Sequence, residues 1–185
     1  MLKKRQAKGV VHMSDVESLF LQCSVEKLSQ FVERIDACLA KLNEDQIWTR
    51  TGENENAIGN LVLHLTGNVR QWIIASLGNN PYHRDRDGEF DARGGVTAAE
   101  LSANLRATVE QATQIISGLD TARLTRMYAI QNYPVSGVQA VFHVVEHFAQ
   151  HTGQIIFATK MLTGDDLGFY RHLRSAGQHH DARIP

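Results

Sequence analysis

Three histidines with the spacing of metal ligands lie in one helical segment near the end of the chain. His143, His147 and His151 are four residues apart, so their side chains are stacked neighbours with Cβ atoms about 5–6 Å apart. Two imidazoles at this spacing can converge on one ion at about 2.0–2.1 Å each, as zinc-binding His-x3-His pairs do. The pattern therefore predicts a metal site, but spacing alone leaves open which pair binds.

A third ligand must come from another helix, and His64 is the histidine best placed to supply it. Of the remaining histidines, it alone lies on an apolar helical face, three residues after Leu61 and one before Leu65. A single histidine in such a position is usually a hydrogen-bonded core residue. Burying several imidazoles without partners costs about 1–3 kcal/mol each, however, so a shared ion is the simpler explanation for the whole set.

Gly153 helps to decide which pair binds. A glycine inside a helix costs about 1 kcal/mol relative to alanine, and we interpret its position near His151 as close approach by a neighbouring helix or a ligand. We therefore predict one divalent metal ion bound by His64, His147 and His151. His143 is left as an alternative ligand, a residue that supports a ligand, or a packed core histidine.

Other polar residues near these histidines are less specific. Ligand imidazoles usually donate their second N–H to an oxygen. Four amide side chains are candidate acceptors: Asn60, Asn68, Gln150 and Gln154. We expect these four to be ordinary helix-surface residues. Glu146 adjoins His147 but is turned about 100° away from it. The charged run 84–89 is predicted to be solvated surface, and His179-His180 to lie in a solvated tail. No catalytic residue is assigned.

Four amphipathic helices are predicted to position the histidines. Capping boxes, in which two side chains satisfy free backbone N–H groups, predict three helix starts. These are at Ser14, Thr97 and Ser136. The remaining helix is predicted to begin at an N-cap Asn54 or Asn56 and to end at Leu77. Each helix has one apolar stripe to bury, so we predict an all-α four-helix bundle in which the long connections 78–96 and 120–135 permit crossovers.

The composition fits one globular domain. The 185 residues are 43% hydrophobic with a formal charge of −1, and no broad basic surface indicates nucleic acid. We predict a disordered extension (1–13), a metal-binding bundle (14–172) and a polar tail (173–185). The start lacks the apolar run of a secretory signal, and the most apolar stretch carries too many polar residues for a membrane span.

The two cysteines indicate a reducing compartment. Cys23 and Cys38 are fifteen residues apart on one predicted helix, hence about 22 Å apart, and cannot form a disulfide with each other. Reduced thiols, no secretory signal and no membrane span together predict a cytoplasmic protein.

Two sequence motifs resemble those of the DinB/YfiT-like superfamily of metal-binding four-helix bundles. The first is Asn60-Leu61-Val62-Leu63-His64-Leu65-Thr66-Gly67-Asn68 in the second helix. The second is His143-Val144-Val145-Glu146-His147-Phe148-Ala149-Gln150-His151-Thr152-Gly153-Gln154-Ile155 in the fourth. The resemblance spans roughly residues 15–172. It implies zinc or nickel bound by His64, His147 and His151, a small-molecule substrate and a homodimer.

The resemblance also implies two kinds of activity. Similar proteins include transferases that use low-molecular-weight thiols such as bacillithiol and mycothiol, and others are assigned as hydrolases. The charged connection 84–90 resembles an uncharacterised subgroup. We therefore expect a metal-dependent thiol S-transferase or hydrolase in which the ion lowers the pKa of a bound water or thiol. The alternative is a non-catalytic metal-binding bundle that acts as a sensor or interaction module, which a fourth ligand such as His143 would favour.

Overall fold

Four long helical segments form the bundle in the computed structural model, which describes residues 14–174. The predicted extension 1–13 and residues 175–185 of the predicted tail, including His179 and His180, lie outside the described residues. The elements in chain order are α1 (Asp15–Leu39), α2 (Glu44–Trp48), α3 (Ile58–Val69) with a π-helical continuation (Arg70–Leu77), α4 (Arg86–Asp91), α5 (Ala98–Ser117), α6 (Thr121–Thr125), β1 (Met127–Ile130), β2 (Tyr133–Ser136), α7 (Gly137–Thr163) and α8 (Arg171–Arg174).

The three predicted capping boxes are confirmed at the starts of α1, α5 and α7. The predicted start of α3 is wrong, because its N-cap is Ala57 and not Asn54 or Asn56. The buried amide of Asn60 takes over the cap, since its Oδ1 accepts a hydrogen bond from the Ala57 N–H at 3.1 Å. A residue inside the helix thus satisfies one of the free donors at its first turn.

The long helices surround one core. α1 and α3 each pack against α5 and α7, so the steps from α1 to α3 and from α5 to α7 cross the bundle diagonally. Of the two connections predicted to permit crossovers, residues 120–135 make one, whereas residues 78–96 join helices that pack against each other. The largest fully buried side chains come from all four helices and include Leu28, Ile35, Leu65, Ile73, Leu101, Leu105, Ile116 and Phe148.

Within the connection 120–135, the chain forms two short strands that pair as a small antiparallel hairpin. β1 pairs with β2 in the register Met127 to Ser136 and Ile130 to Tyr133. Gln131 and Asn132 form the turn with positive φ angles of 52° and 66°, as two-residue hairpin turns require. The hairpin leaves the fold in the all-α class and leads directly into α7.

Within residues 14–174, no helix combines the length and the apolar character needed to cross a bilayer. Both cysteines are free, with Cys38 buried in the core and Cys23 exposed, in agreement with the prediction that they do not bridge each other.

Candidate metal centre

Three imidazoles converge where α3 and α7 pack together. The Nε2 atom of His147 lies 3.1 Å from Nε2 of His64 and 3.2 Å from Nε2 of His151. One ligand atom from each of the three residues lies within 4.8 Å of the others. His64 is buried, whereas His147 and His151 are half-buried at the surface of the helix pair. The histidines predicted from the sequence are therefore the three that the fold brings together.

These distances fit a shared cation. Two nitrogens bound to one tetrahedral ion at about 2.0–2.1 Å lie roughly 3.3 Å apart, close to the 3.1 Å and 3.2 Å that separate Nε2 of His147 from Nε2 of His64 and of His151. Hydrogen bonds among the three imidazoles cannot satisfy all of their nitrogen atoms. If His64 and His151 carry their protons on Nδ1, both present lone pairs at Nε2, and the single N–H of a neutral His147 can serve only one of them. A divalent cation would accept all three lone pairs.

Glu89 and Arg84 fix the orientation of His64. Nδ1 of His64 lies 3.0 Å from Oε2 of Glu89, and Arg84 donates to both oxygens of the same carboxylate at 2.7 Å. The side chains of His64, Arg84 and Glu89 are only 7%, 4% and 10% exposed. An Arg84 nitrogen also lies 3.1 Å from Nδ1, but Nδ1 cannot both accept from Arg84 and donate to Glu89. Donation to the carboxylate is the arrangement that leaves Nε2 free to bind metal.

The backbone of residues 89–92 is held in place by the buried Asn60 and the half-buried Arg50. The Asn60 amide donates to the carbonyl of Glu89 at 2.9 Å and to that of Ala92 at 3.0 Å. Arg50 donates to the carbonyl of Phe90 at 2.6 Å. The carboxylate of Glu89 lies against Gly67 of α3, where a Cβ atom would overlap it. The motif glycine thus makes room for the Glu89 side chain.

His151 has its own oxygen partner, while His147 has none in the described part of the chain. Nδ1 of His151 lies 2.6 Å from Oε1 of Gln154. Because an amide oxygen only accepts, Nδ1 carries the proton and Nε2 presents its lone pair to the cluster. Nδ1 of His147 is buried and finds no hydrogen-bond partner among residues 14–174. Two of the three imidazoles are therefore oriented by specific partners.

His143 is not one of the three clustered ligands, although its ring stacks on that of His147 with centroids 5.4 Å apart. Its Nε2 lies 3.3 Å from Nδ2 of Asn68, and its ring stacks on Trp72 with centroids 3.9 Å apart. Trp72 belongs to the π-helical turn that follows α3, a type of irregularity often found at functional sites. Of the three roles left open for His143, this arrangement matches a packed histidine that borders the site.

The surroundings of α7 favour the neutral form of its three imidazoles. Burial, together with the neighbouring His151 and His64, lowers the pKa of His147 to about 3. Burial also lowers the pKa of His151 and that of His143. For Glu89, burial would raise the pKa, but hydrogen bonds from His64 and Arg84 and the charge of Arg84 outweigh it and hold the pKa below its usual range. Neutral imidazoles beside an ionised carboxylate are the protonation states that metal binding needs.

Several expectations about the surrounding residues were wrong. The run 84–89 is not simply solvated surface, because Arg84 and Glu89 are buried against His64. For Gly153, the expected close approach of a neighbouring helix is not found within residues 14–174, because no atom lies within 4 Å of a Cβ built on it. Among the four amides, Asn60 and Gln154 contact residues of the site. Asn68 contacts the bordering His143, and Gln150 bonds only the exposed Glu146. Glu146 itself makes no contact with the cluster, as predicted.

A surface pocket of about 350 Å³ lies beside this network. Gly67, Arg70 and Glu89 contribute to its wall, but none of the three clustered histidines does. It is therefore separate from the convergence point of the imidazoles.

Fold and site together define the class of protein: a four-helix bundle with a three-histidine cluster, whose fold is similar to that of solved DinB-like proteins. A conserved protein from Enterococcus faecalis has a similar structure, with a TM-score of 0.65, 16% identity, and coverage of 83% of this chain and 100% of that chain. A DinB-like protein from Bacillus subtilis has a TM-score of 0.61 and 16% identity, with coverage of 80% of this chain and 96% of that chain. A DinB-like protein from Bacillus cereus has a TM-score of 0.61 and 12% identity, with coverage of 76% of this chain and 91% of that chain. These likenesses confirm the predicted fold.

Residues 15–173 match the family described as "Protein of unknown function (DUF1572)", and the chain belongs to that family. The expected place in an uncharacterised DinB-like subgroup agrees with this assignment. A comparison with curated proteins found no match.

Proposed function

We propose that this chain is a divalent-metal-dependent enzyme acting on a small molecule, with zinc or nickel bound by His64, His147 and His151. The observation that carries the proposal is the convergence of three imidazole nitrogens in a group that, within residues 14–174, includes no fourth His, Cys, Asp or Glu. A centre with three protein ligands leaves a coordination position for water or substrate. The two free cysteines fit a reducing compartment, and we place the protein in the cytoplasm.

When bound at such a centre, a divalent ion lowers the pKa of a water or thiol ligand and so provides a nucleophile near neutral pH. The residues of the chain supply orientation and charge. Glu89 accepts a hydrogen bond from Nδ1–H of His64, and Gln154 accepts one from Nδ1–H of His151. Because Arg84 neutralises Glu89, this buried pair adds no net charge beside the ion. The half-buried position of His147 and His151 gives a small molecule access from solvent.

Two reaction classes suit this arrangement. In S-transfer, a low-molecular-weight thiol loses its proton and its sulfur bonds to an electrophilic carbon as a leaving group departs. In hydrolysis, water loses its proton and its oxygen bonds to the electrophilic carbon as the leaving group departs. A sensor or interaction module would instead be expected to have a closed centre. His143 is the nearest candidate for a fourth ligand, and its contacts with Asn68 and Trp72 favour an open centre.

Cobalt substitution tests the open position directly. Co²⁺-loaded protein should change its visible absorption when a low-molecular-weight thiol is added, because a thiolate entering the coordination sphere alters the ligand field and adds a charge-transfer band. The His143→Ala variant should respond in the same way. A spectrum that stays unchanged with thiol and with azide would show a saturated centre and would contradict the enzymatic proposal. A positive response justifies screening thiol transfer and hydrolysis.

A further inference from the structure

An apolar strip of α7 faces solvent on a different side from the metal ligands. It consists of Phe142, Ala149, Gly153 and Phe157, with the charged residues Glu146 and Lys160, and we call it the α7 strip. Phe142 and Phe157 are 61% and 66% exposed, and the other four residues are also exposed. At about 100° per residue, Gly153 points roughly 160° away from His151 and 120° away from His147. Two phenylalanines that expose most of their surface on one helix face, with only small and charged residues between them, favour burial of this face by a binding partner.

The order of residues along the α7 strip is self-complementary. Glu146 and Lys160 lie seven residues before and after Gly153, hence about two turns and 10.5 Å on either side of it. Ala149 and Phe157 lie four residues before and after it. In two antiparallel copies related by a two-fold axis at Gly153, each glutamate faces the other copy's lysine, and each alanine faces the other copy's phenylalanine. Isologous interfaces require this reciprocity.

The centre of the strip allows two helices to approach closely. Gly153 has open space where a Cβ would lie, and Ala149 one turn away is also small, so the facing backbones can come together at the axis. Neither Glu146 nor Lys160 forms an ion pair within residues 14–174. Both charges are thus available to fix the register between copies, as complementary charges at an interface do.

We propose that the α7 strip is the interface of an antiparallel homodimer with its two-fold axis at Gly153. The partner is a second copy of this chain, because the strip complements its own reversed sequence in size and in charge. The interface lies on a different face of α7 from His147 and His151. The proposal therefore does not depend on the metal centre or on its chemistry.

Charge reversal tests this register by sedimentation equilibrium. The wild type should have twice the 20.7 kDa mass of the chain. Glu146→Lys and Lys160→Glu should each raise the dimer dissociation constant at least tenfold, because two symmetry-related attractions become repulsions. An equimolar mixture of the two variants should restore dimers, since one chain then offers two positive and the other two negative groups. The exposed α5 variant Glu110→Lys should stay within threefold of wild type, and circular dichroism checks folding.

A crosslink gives a second, independent measurement. In a Cys23→Ser background, Gly153→Cys should form a disulfide-linked dimer on mild oxidation, because residues on a two-fold axis meet their own copies within disulfide reach. A monomeric wild type would overturn the proposal. A dimer that both charge-reversal variants still form would also overturn it, as would an equimolar mixture of these variants that stays monomeric. Failure of the Gly153→Cys variant to form a disulfide-linked dimer would overturn it as well.

Discussion

Glu89→Gln tests whether the carboxylate of α4 tunes the metal centre through His64. The substitution removes the negative charge that lies 3.0 Å from Nδ1 of His64 and accepts two hydrogen bonds from Arg84. Outer-shell partners of a ligand histidine typically contribute 10–100-fold in metal affinity, or about 1.4–2.7 kcal/mol. We expect the zinc dissociation constant to rise by that factor.

The same substitution should lower the stability of the metal-free protein. It leaves Arg84, whose side chain is 4% exposed, without its counter-ion, and breaking a buried ion pair on one side costs roughly 3–5 kcal/mol. Because glutamine keeps one acceptor oxygen, we expect a loss of about 3 kcal/mol, measured by urea unfolding. Replacing both residues, as Arg84→Met with Glu89→Gln, should cost less than the sum of the single changes.

The assay is zinc competition against a chromophoric chelator at pH 7.5, under conditions where each variant is folded. Gly67→Ala should reproduce the loss of affinity, because its Cβ would displace the Glu89 carboxylate. Glu146→Gln is the matched control, since Glu146 is exposed, adjoins His147 in sequence and bonds only Gln150. An affinity of folded Glu89→Gln within twofold of wild type would refute the reasoning.

Two further predictions concern stability. Metal-free protein should lose about 1–2 kcal/mol of unfolding free energy between pH 7 and pH 5, because His147 takes up a proton near pH 6.5 in the unfolded chain whereas its pKa in the folded protein is about 3. The His147→Asn variant should show a smaller loss over the same pH range. A urea unfolding midpoint that rises on acidification would contradict this prediction. Asn60→Ala should cost about 1–3 kcal/mol, because it removes both the cap at Ala57 and the donors to the 89–92 carbonyls; exposed Asn104→Ala should leave the midpoint unchanged.

The sequence predicts those parts of the fold that depend on local chemistry. Each capping box is a short-range motif with one geometric solution, so the starts of α1, α5 and α7 follow from it. Likewise, the four-residue spacing of His147 and His151 places both on one helical face. The sequence also predicts His64 as a ligand, because an ionisable side chain on an apolar stripe needs a partner in the core.

The sequence does not reveal which residues orient His64. Arg84 and Glu89 lie in a charged connection, and a charged run normally indicates solvent. Only the packing of α4 on α3 shows that the two charges neutralise each other against His64. The one feature of the sequence that could have indicated a side chain packed against His64 is Gly67, which leaves space for the Glu89 carboxylate. A glycine inside a helix has several possible explanations, however, so it does not identify that side chain. Gly153 is ambiguous for the same reason, since nothing within residues 14–174 approaches it.

The most direct test of the central claim is the metal content of tag-free protein, measured by elemental mass spectrometry after purification without added metal. Wild type and the His143→Ala control should each hold close to one divalent ion per chain, because His143 lies outside the cluster. His64→Ala, His147→Ala and His151→Ala should each lose it while remaining folded. Metal retained by folded His64→Ala and His151→Ala, or a wild type that binds none even after loading with zinc or nickel, would contradict the account.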